Sequence, residues 1–307
     1  MHAAMGHIRM TATEAAAFGM PELAHIGKHC EVCIMSKLTK APTGGGTFIK
    51  PKRTWERVDT DLIGPISALT DYGERTPLPS IEQHKYVLNI VDHYSGYIIV
   101  KLVKHKSEVP TVLCNVLKYI QTQFDTTIKQ LHSDGGREFN NSTIASYCGA
   151  NGIQHSMSPP DTPSRNGKAE RYNGLLLNTA RSMLINAGAN QSLWCYSIEQ
   201  AALTLNVKPR QQLGNKSPYE LVHKNVFDIS KLTPLFSDCY YKPSNDQQIE
   251  KFGSMGKYGV YLGKSPNHIA HRVLTEYHTI IITTNVKLLS NRFKHLRMFG
   301  LGGGAIA

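Results

Sequence analysis

The 307-residue chain lacks several features that would assign it to common classes of protein. No stretch approaches about 18 consecutive apolar residues, which argues against a membrane-spanning helix. No basic segment followed by an apolar core stands at the N-terminus, which argues against a secretory signal peptide. Of the six cysteines only Cys30 and Cys33 are close together, which does not fit a small disulfide-bonded scaffold. These absences predict a soluble, intracellular protein with no membrane partner.

Acidic residues are scarce relative to basic ones. The chain has 23 Asp and Glu against 34 Lys and Arg, a formal net charge of +11. A positively charged surface attracts phosphate backbones, anionic membranes or acidic proteins, and nucleic acid is the commonest of these partners. Charge alone leaves open a protein that is merely basic. Composition therefore favours nucleic-acid binding without establishing it.

The order of strand-like and helix-like segments predicts an α/β core. Segments rich in β-branched and aromatic residues predict strands at 57–63, 85–91, 97–103, 128–132 and 153–157. Apolar residues at helical spacing predict a helix capped by Ser107 and further helices over 140–150, 165–186 and 192–207. Pro209 is expected to end the last of these. Strands and helices in this order indicate a mixed sheet covered by helices.

Changes in composition divide the chain into five parts. Residues 1–40, rich in His, Ala and Met, predict a small helical module that holds the Cys pair. A linker rich in Gly, Pro and Lys follows at 41–54, and the α/β core at 55–210. Short β segments at 239–242, 259–262, 272–275 and 279–284 then predict a β-rich region over 211–299. The Gly-rich end, 300–307, predicts a disordered tail.

Three acidic residues occupy positions suited to metal binding. Asp61 lies on the first predicted strand, Asp134 at the end of the fourth, and Glu170 in the first turns of the long helix, 35 residues beyond Asp134. Phosphodiester chemistry uses two divalent cations about 3.5–4 Å apart, and Mg²⁺ prefers carboxylate oxygens. Each acid taken singly also fits a solvated residue, a helix cap or a turn. The joint pattern predicts a metal site.

The residues around these acids resemble the D,D(35)E signature of retroviral-type integrases, in the form found in copia-type LTR retrotransposons. The resemblance is carried by DLIGP at 61–65, HSDGGREF at 132–139 and PSRNGKAER at 163–171. It implies a ribonuclease-H-like integrase core in which Asp61, Asp134 and Glu170 bind two Mg²⁺ or Mn²⁺ ions. Asp59, two residues earlier on the same face of the strand, is the rival for the first position. Asp61 is preferred because it directly precedes Leu-Ile-Gly-Pro.

A second set of metal ligands stands at the N-terminus. His2, His7, Cys30 and Cys33 present imidazole and thiolate groups at a spacing that can surround Zn²⁺ tetrahedrally. The arrangement is similar to the HHCC module that precedes the catalytic core in the same family, which implies a structural zinc site. The other ligand candidates are His25 and His29. Solvated histidines beside a buried Cys pair are the alternative interpretation.

The resemblance also implies a function and its partners. It implies an enzyme that works as a homo-oligomer and inserts linear cDNA into host DNA by strand transfer. DNA, both the element's cDNA ends and the target, is the implied partner, with RNA as a further nucleic acid to consider. The implied locations are intracellular: a virus-like particle in the cytoplasm, and the nucleus. Candidates for phosphate contacts lie at the start of the long helix: Arg165, Asn166, Lys168 and Arg171.

Two other interpretations stay open at this point. A truncated retroelement remnant would keep the fold and bind DNA without catalysis. The chain has no segment that resembles the protease or reverse transcriptase encoded in the parent polyproteins, which favours a remnant. Another ribonuclease-H-like nuclease would explain the three acids, but it would explain neither the HHCC module nor the similar stretches that follow the acids.

Overall fold

The structure of the chain is a computed structural model, which describes residues 11–17, 19, 30–32, 35, 51–69, 75–158, 167–242, 254–266, 269–289 and 292–301. The α-helices are α1 (Ala12–Ala17), α2 (Val109–Gln123), α3 (Ser142–Ala150), α4 (Gly167–Ala187), α5 (Trp194–Val207), α6 (Pro218–His223) and α7 (Lys294–Met298). The β-strands are β1 (Arg57–Ile63), β2 (Ser67–Leu69), β3 (Arg75–Pro77), β4 (Tyr86–Asp92), β5 (Ile98–Val103), β6 (Gln130–Ser133), β7 (Gln154–Met157), β8 (Asp238–Tyr241), β9 (Lys257–Lys264), β10 (His271–Thr275), β11 (Ile280–Thr283) and β12 (Val286–Leu289).

A five-stranded mixed sheet in the order β5-β4-β1-β6-β7 forms the centre of the α/β core. β4 pairs antiparallel with both β1 and β5, whereas β1, β6 and β7 are parallel. The mixed α/β sheet expected from the sequence is thus confirmed. Each predicted strand and helix of the core lies within two residues of the observed element. Of the helices in the described ranges, none combines the length and apolarity needed to cross a membrane.

Helix boundaries in the core follow local backbone chemistry. α5 ends at Val207, and Lys208 is extended because the residue before a proline disfavours the helical conformation. The predicted cap of α2 is wrong. Ser107 lies inside a 3-10 helix, Lys106–Glu108, and α2 follows with a proline in its first turn, where no backbone N–H is needed.

The two faces of the sheet pack against different helices. On one face Val58, Leu88 and Leu131 contact buried residues of α2 and α3. On the other face Val87 and Val91 pack in one cluster with Leu176 of α4 and with residues of α5. Burial on both faces explains why β4 is apolar along nearly its whole length.

Residues 238–289 contain a second, antiparallel sheet in the order β11-β10-β9-β8-β12. The predicted β segments at 239–242, 259–262, 272–275 and 279–284 overlap β8 to β11, whereas the short, partly exposed β12 was not predicted. Val260, Leu262 and Leu274 of this sheet belong to the same hydrophobic cluster as Leu176 and Trp194. A continuous core therefore joins the β-rich region to α4 and α5.

The short helix α1 lies in the part of the chain predicted as the zinc module. Thr11 and Glu14 form a reciprocal cap, because each side chain accepts a hydrogen bond from the other residue's backbone N–H. Ala15 is fully buried in a small cluster with Val207, and Glu14 forms an ion pair of 3.3 Å with Lys208. These contacts dock α1 on the end of α5.

Candidate active site

Parallel pairing of β1 with β6 brings two of the predicted site acids to the same level of the sheet. Asp59 pairs with His132, and continuing this register by two residues places Asp61 level with Asp134, just past the end of β6. Side chains two residues apart on a strand share a face. Asp61 and Asp134 therefore lie on the face of the sheet that α4 covers.

The charge environment of Asp61 links all three predicted site acids. Burial raises the pKa of Asp61, and the negative charges of Asp134 and Glu170 raise it further. Hydrogen bonds from the Leu62 backbone N–H and from Asn173 oppose this shift without cancelling it. The fold thus brings Asp61, Asp134 and Glu170 within electrostatic reach of one another, although they are far apart in the sequence.

The rival acid Asp59 has a different environment. Its carboxylate accepts a hydrogen bond of 2.9 Å from Nε of Arg57 and is paired with the ring of His93 on its other oxygen. Burial alone would raise the pKa of Asp59, but His93 and Arg57 outweigh it and the pKa is lowered. With both oxygens engaged by cationic or ring N–H groups, Asp59 is less suited than Asp61 to bind a cation.

Helix α4 carries Glu170 in its first turn, and packing of the helix sets the position of that acid. Ala169, Tyr172 and Leu176 are buried, whereas Glu170 is exposed. An acidic residue in the first turn also interacts favourably with the helix dipole. The apolar stripe therefore determines which way Glu170 faces.

Two asparagines that the sequence did not bring to notice extend this arrangement. Nδ2 of Asn173 donates to Oδ2 of Asp61 at 2.7 Å, and Nδ2 of Asn89 donates to Oδ1 of Asn173 at 2.7 Å. Asn89 is fully buried, and its Oδ1 has no hydrogen-bond partner among the described residues. A buried carbonyl without a hydrogen bond lowers the free energy of unfolding by about 1–3 kcal/mol. The available signals were the spacing of Asn173 three residues after Glu170 and a polar residue within the apolar strand β4.

A salt bridge lies beside Asp134. Nζ of Lys106 is 2.9 Å from Oε1 of Glu138. The hydrogen bond that Lys106 donates to Glu138 raises the pKa of Lys106, and the charge of Asp134 adds to this shift. Burial opposes ionisation of Glu138, but the bond from Lys106 lowers its pKa overall. The pair places a cation near Asp134 without using that residue's carboxylate.

A close approach between the β4–β5 turn and α4 holds the helix on the sheet. Gly96 has φ +71°, and a Cβ at this position would lie 1.8 Å from the hydroxyl of Tyr172 and 2.3 Å from Nη1 of Arg210. Arg210 donates to that hydroxyl and lies over the Tyr172 ring, with 5.2 Å between its Cζ and the ring centroid. Only glycine leaves room for this contact, which lies two residues after Glu170.

The chemistry of the donor set fits hard divalent cations. Three carboxylates offer only oxygen ligands and negative charge, which suits Mg²⁺ or Mn²⁺. The pKa of Asp61 is raised, and a cation bound beside this carboxylate would favour its ionised form. Within the described residues, however, no three His, Cys, Asp or Glu side chains are gathered closely enough to ligate one ion. Like charges repel and Asn173 holds Asp61 by a hydrogen bond, so the three carboxylates stand apart while Asp134 and Glu170 still raise the pKa of Asp61.

The predicted DNA-contacting residues have different environments. Arg171 is exposed and directed away from the core. Lys168 is partly buried, and its ammonium group donates to the backbone carbonyl of His93. Arg165 and Asn166 lie outside the described residues. Of the two described candidates, Arg171 is thus the one whose side chain is exposed to solvent.

Of the four predicted zinc ligands, the structure describes Cys30. His2, His7 and Cys33 lie outside the described residues, as do the alternative ligands His25 and His29. Cys30 is half-buried and forms no disulfide with another described cysteine. The zinc site therefore stays a prediction from the sequence.

Comparison with known families and proteins bears on this site. The integrase core domain family matches residues 68–163, a stretch that includes Asp134 and excludes Asp61 and Glu170. The Retrovirus-related Pol polyprotein from transposon RE2 of Arabidopsis thaliana is 26% identical over 223 residues, covering 72% of this chain and 14% of that protein. The Transposon Ty1-DR4 Gag-Pol polyprotein of Saccharomyces cerevisiae is 25% identical over 282 residues, covering 89% and 17%. The chain thus spans less than a fifth of either polyprotein.

Solved structures that match this chain in part include viral integrases. The HTLV-2 integrase catalytic core domain in complex with magnesium matches with a TM-score of 0.41 and 17% identity, covering 56% of this chain and 99% of that one. A chain of the simian T-cell lymphotropic virus intasome in complex with PP2A regulatory subunit B56 gamma matches with a TM-score of 0.45 and 15% identity, covering 91% and 95%.

Replacing Gly96 with alanine tests the close approach to Tyr172. Gly214 provides a matched control, because it has a similar φ of +66° and nothing within 4 Å of an added Cβ. Both variants carry backbone strain of about 1–3 kcal/mol. We expect Gly96→Ala to cost about 1–3 kcal/mol more than Gly214→Ala, because the added methyl group must displace Tyr172 and Arg210. Urea unfolding measures both, and equal losses of unfolding free energy would show that the contact is not tight.

Replacing Asp134 with asparagine tests the electrostatic link among the acids. A raised pKa means that the folded chain holds the Asp61 proton more tightly than the unfolded chain. The associated stability is therefore present below the ordinary carboxyl pKa and is lost as the pH rises through the raised value. In EDTA we expect Asp134→Asn to lower the pKa of Asp61 and to increase the free energy of unfolding near pH 7. Carboxyl ¹³C NMR titration and urea unfolding measure the two effects.

The control for this experiment is Asp228→Asn, which removes an exposed carboxylate paired with Lys231 rather than with the site. It should leave the titration of Asp61 unchanged. If Asp134→Asn also left it unchanged, the two carboxylates would lie too far apart to interact.

Proposed function

Since the chain is a relative of the integrase segment of copia-type retrotransposon polyproteins, we propose that it inserts linear cDNA into host DNA by strand transfer. The observation that carries this proposal is the parallel register of β1 and β6, which places Asp61 level with Asp134. Burial raises the pKa of Asp61, and the charges of Asp134 and Glu170 add to that shift. Neighbouring carboxylates repel one another, so a bound cation stabilises their ionised forms. The bound cations can in turn engage the phosphates of a polyanionic substrate.

In the proposed reaction a 3′-hydroxyl of the cDNA attacks a phosphorus atom of the target strand. The new P–O bond forms as the bond to the target's own 3′-oxygen breaks, and that oxygen leaves on the opposite side and takes up a proton. Two divalent ions, when bound, would supply activation of the attacking oxygen and neutralisation of the leaving one. Asp61, Asp134 and Glu170 would hold the ions, and no covalent bond to the protein is required.

Affinity for DNA would come from basic and polar residues near the three acids. Arg171 is exposed one residue after Glu170, so a phosphate group near the acids would lie within reach of its guanidinium. Arg165 and Asn166, just before α4, are proposed to contact phosphates with the help of the helix N-terminus. Lys168 is proposed to act mainly through its bond to the His93 carbonyl, which ties α4 to the β4–β5 turn.

A strand-transfer assay with Asp134→Asn tests the proposed function. Duplex oligonucleotides with random terminal sequence and a labelled free 3′-hydroxyl are incubated with supercoiled plasmid and Mg²⁺. The wild type and the control Asp228→Asn should both give labelled plasmid. Lewis-acid stabilisation is worth several kcal/mol, and each 1.4 kcal/mol is about tenfold in rate. We therefore expect Asp134→Asn to form at least roughly 100-fold less product.

The same experiment separates enzyme from remnant. Filter binding with the same duplex reports DNA affinity independently of joining. Labelled DNA retained by a wild type that forms no product would identify a chain that binds DNA without catalysis. Equal product from the wild type and Asp134→Asn would reject the assignment of the site.

We further propose that His2, His7, Cys30 and Cys33 bind one structural Zn²⁺. The donor types and spacing support this, as does the docking of α1, which lies between the two ligand pairs. We expect about one zinc per chain by mass spectrometry after purification with zinc present, because four such donors complete a closed site. Cys33→Ser should lose the zinc, and Cys114→Ser, a change of a partly buried thiol in α2, should keep it. Zinc retained by Cys33→Ser would exclude this ligand set.

A further inference from the structure

Both oxygens of the Asp61 carboxylate are engaged by neutral donors. Oδ1 accepts from the backbone N–H of Leu62 at 2.8 Å, and Oδ2 accepts from Nδ2 of Asn173 at 2.7 Å. Two donors on different oxygens fix both the rotation of the carboxylate and the direction of its remaining lone pairs. Neither donor carries charge, so the negative charge of Asp61 stays available to a cation.

The orientation of the two asparagine amides follows from this contact. An ionised carboxylate only accepts hydrogen bonds, so Asn173 must turn its NH₂ group toward Asp61 and its carbonyl toward Asn89. Asn89 must then turn its own NH₂ group toward that carbonyl. The Oδ1 atom of Asn89 is consequently the end of the chain of hydrogen bonds, and in the described part of the chain it is buried without a partner.

The position of Asn89 is unfavourable for stability alone. It lies directly opposite Asp61 in the β1–β4 pairing, and Val87 and Val91 on the same face of β4 are buried in the hydrophobic cluster. An apolar residue at 89 would extend this cluster and remove the unpartnered carbonyl. A stability argument therefore does not explain this asparagine, whereas support of a neighbouring polar group does.

We propose that Asn173 and Asn89 are positioning residues that hold the Asp61 carboxylate in the orientation needed to bind a divalent cation. Asn89 acts on Asn173, and Asn173 acts on Asp61. Because Asn173 stands one helical turn after Glu170, the bond from Asn173 also couples the placement of Asp61 to the docking of α4. The inference rests on the proposed role of Asp61 as a metal ligand.

Mn²⁺ binding measured without DNA tests this inference separately from catalysis. The variants are Asn173→Leu, Asn89→Leu and the double variant, because leucine keeps the branching of asparagine at Cγ, with larger methyl groups and without hydrogen-bonding groups. The matched control is Asn178→Leu, an asparagine of the same helix whose Oδ1 accepts from Arg181 instead. Electron paramagnetic resonance of free Mn²⁺ gives the affinity, and circular dichroism establishes that each variant is folded. If Asn173→Leu does not fold, Asn173→Ser, with a smaller side chain, replaces it.

We expect Asn173→Leu to weaken Mn²⁺ binding about tenfold, as is typical when a partner of a metal ligand is removed. Asn89→Leu should weaken it less, and Asn178→Leu should leave it unchanged. The double variant should be no weaker than Asn173→Leu, since Asn89 acts only through Asn173. Fully additive losses would overturn the relay, and wild-type affinity in Asn173→Leu would overturn the positioning role.

The outcomes also separate this inference from the proposed function. Weakened Mn²⁺ binding in a chain that joins no DNA would support the positioning role and reject strand transfer. Strand transfer that Asn173→Leu leaves intact, with intact Mn²⁺ binding, would support the function and overturn the positioning role. A wild type that binds no Mn²⁺ would overturn both the positioning role and the metal site.

Discussion

Parallel pairing of β1 with β6 is the constraint on which the candidate site depends. The two strands are joined by a long connection through β4, β5 and α2, yet their register brings Asp61 level with Asp134. A shift by one residue would turn the side chains of one strand to the opposite face of the sheet. The buried residues Val58 and Leu131 on the other face oppose such a shift, because either strand would then turn apolar side chains toward the acidic site and polar side chains into the cluster with α2 and α3. Apolar packing on the face that contacts α2 and α3 thus fixes the register that brings Asp61 and Asp134 together on the face that contacts α4.

Helix α4 adds the third acid, and its own packing decides where that acid lies. Tyr172 and Leu176 anchor the helix on β4, and the turn at Gly96 fits closely against Tyr172. Arg210, beyond the end of α5, completes this contact from a third element. The position of Glu170 is therefore set by uncharged residues that take no part in the proposed reaction, together with Arg210.

The site concentrates features that are unfavourable for folding. Burial and two neighbouring negative charges oppose the ionised form of Asp61, and Asn89 leaves a buried carbonyl without a partner. By contrast Asp59, on the same strand face, has its charge balanced by Arg57 and His93. The fold therefore favours the ionised form of Asp59 and disfavours that of Asp61, two residues away. The hydrophobic clusters on both faces of the sheet offset the cost of the Asp61 charge.

Local patterns in the sequence determined the strands and helices of the core, because strand alternation, helical periodicity and proline act over a few residues. They also singled out Asp61, Asp134 and Glu170 by motif. Only the tertiary structure decided which acids face one another, since that depends on strand order and register between distant segments. Asn89 and Asn173 show this most clearly: each is an ordinary polar residue in its own segment, and their contact arises when α4 docks on β4. The join between the β-rich region and α4 was likewise invisible in the sequence, because hydrophobic residues there indicate burial without indicating a partner.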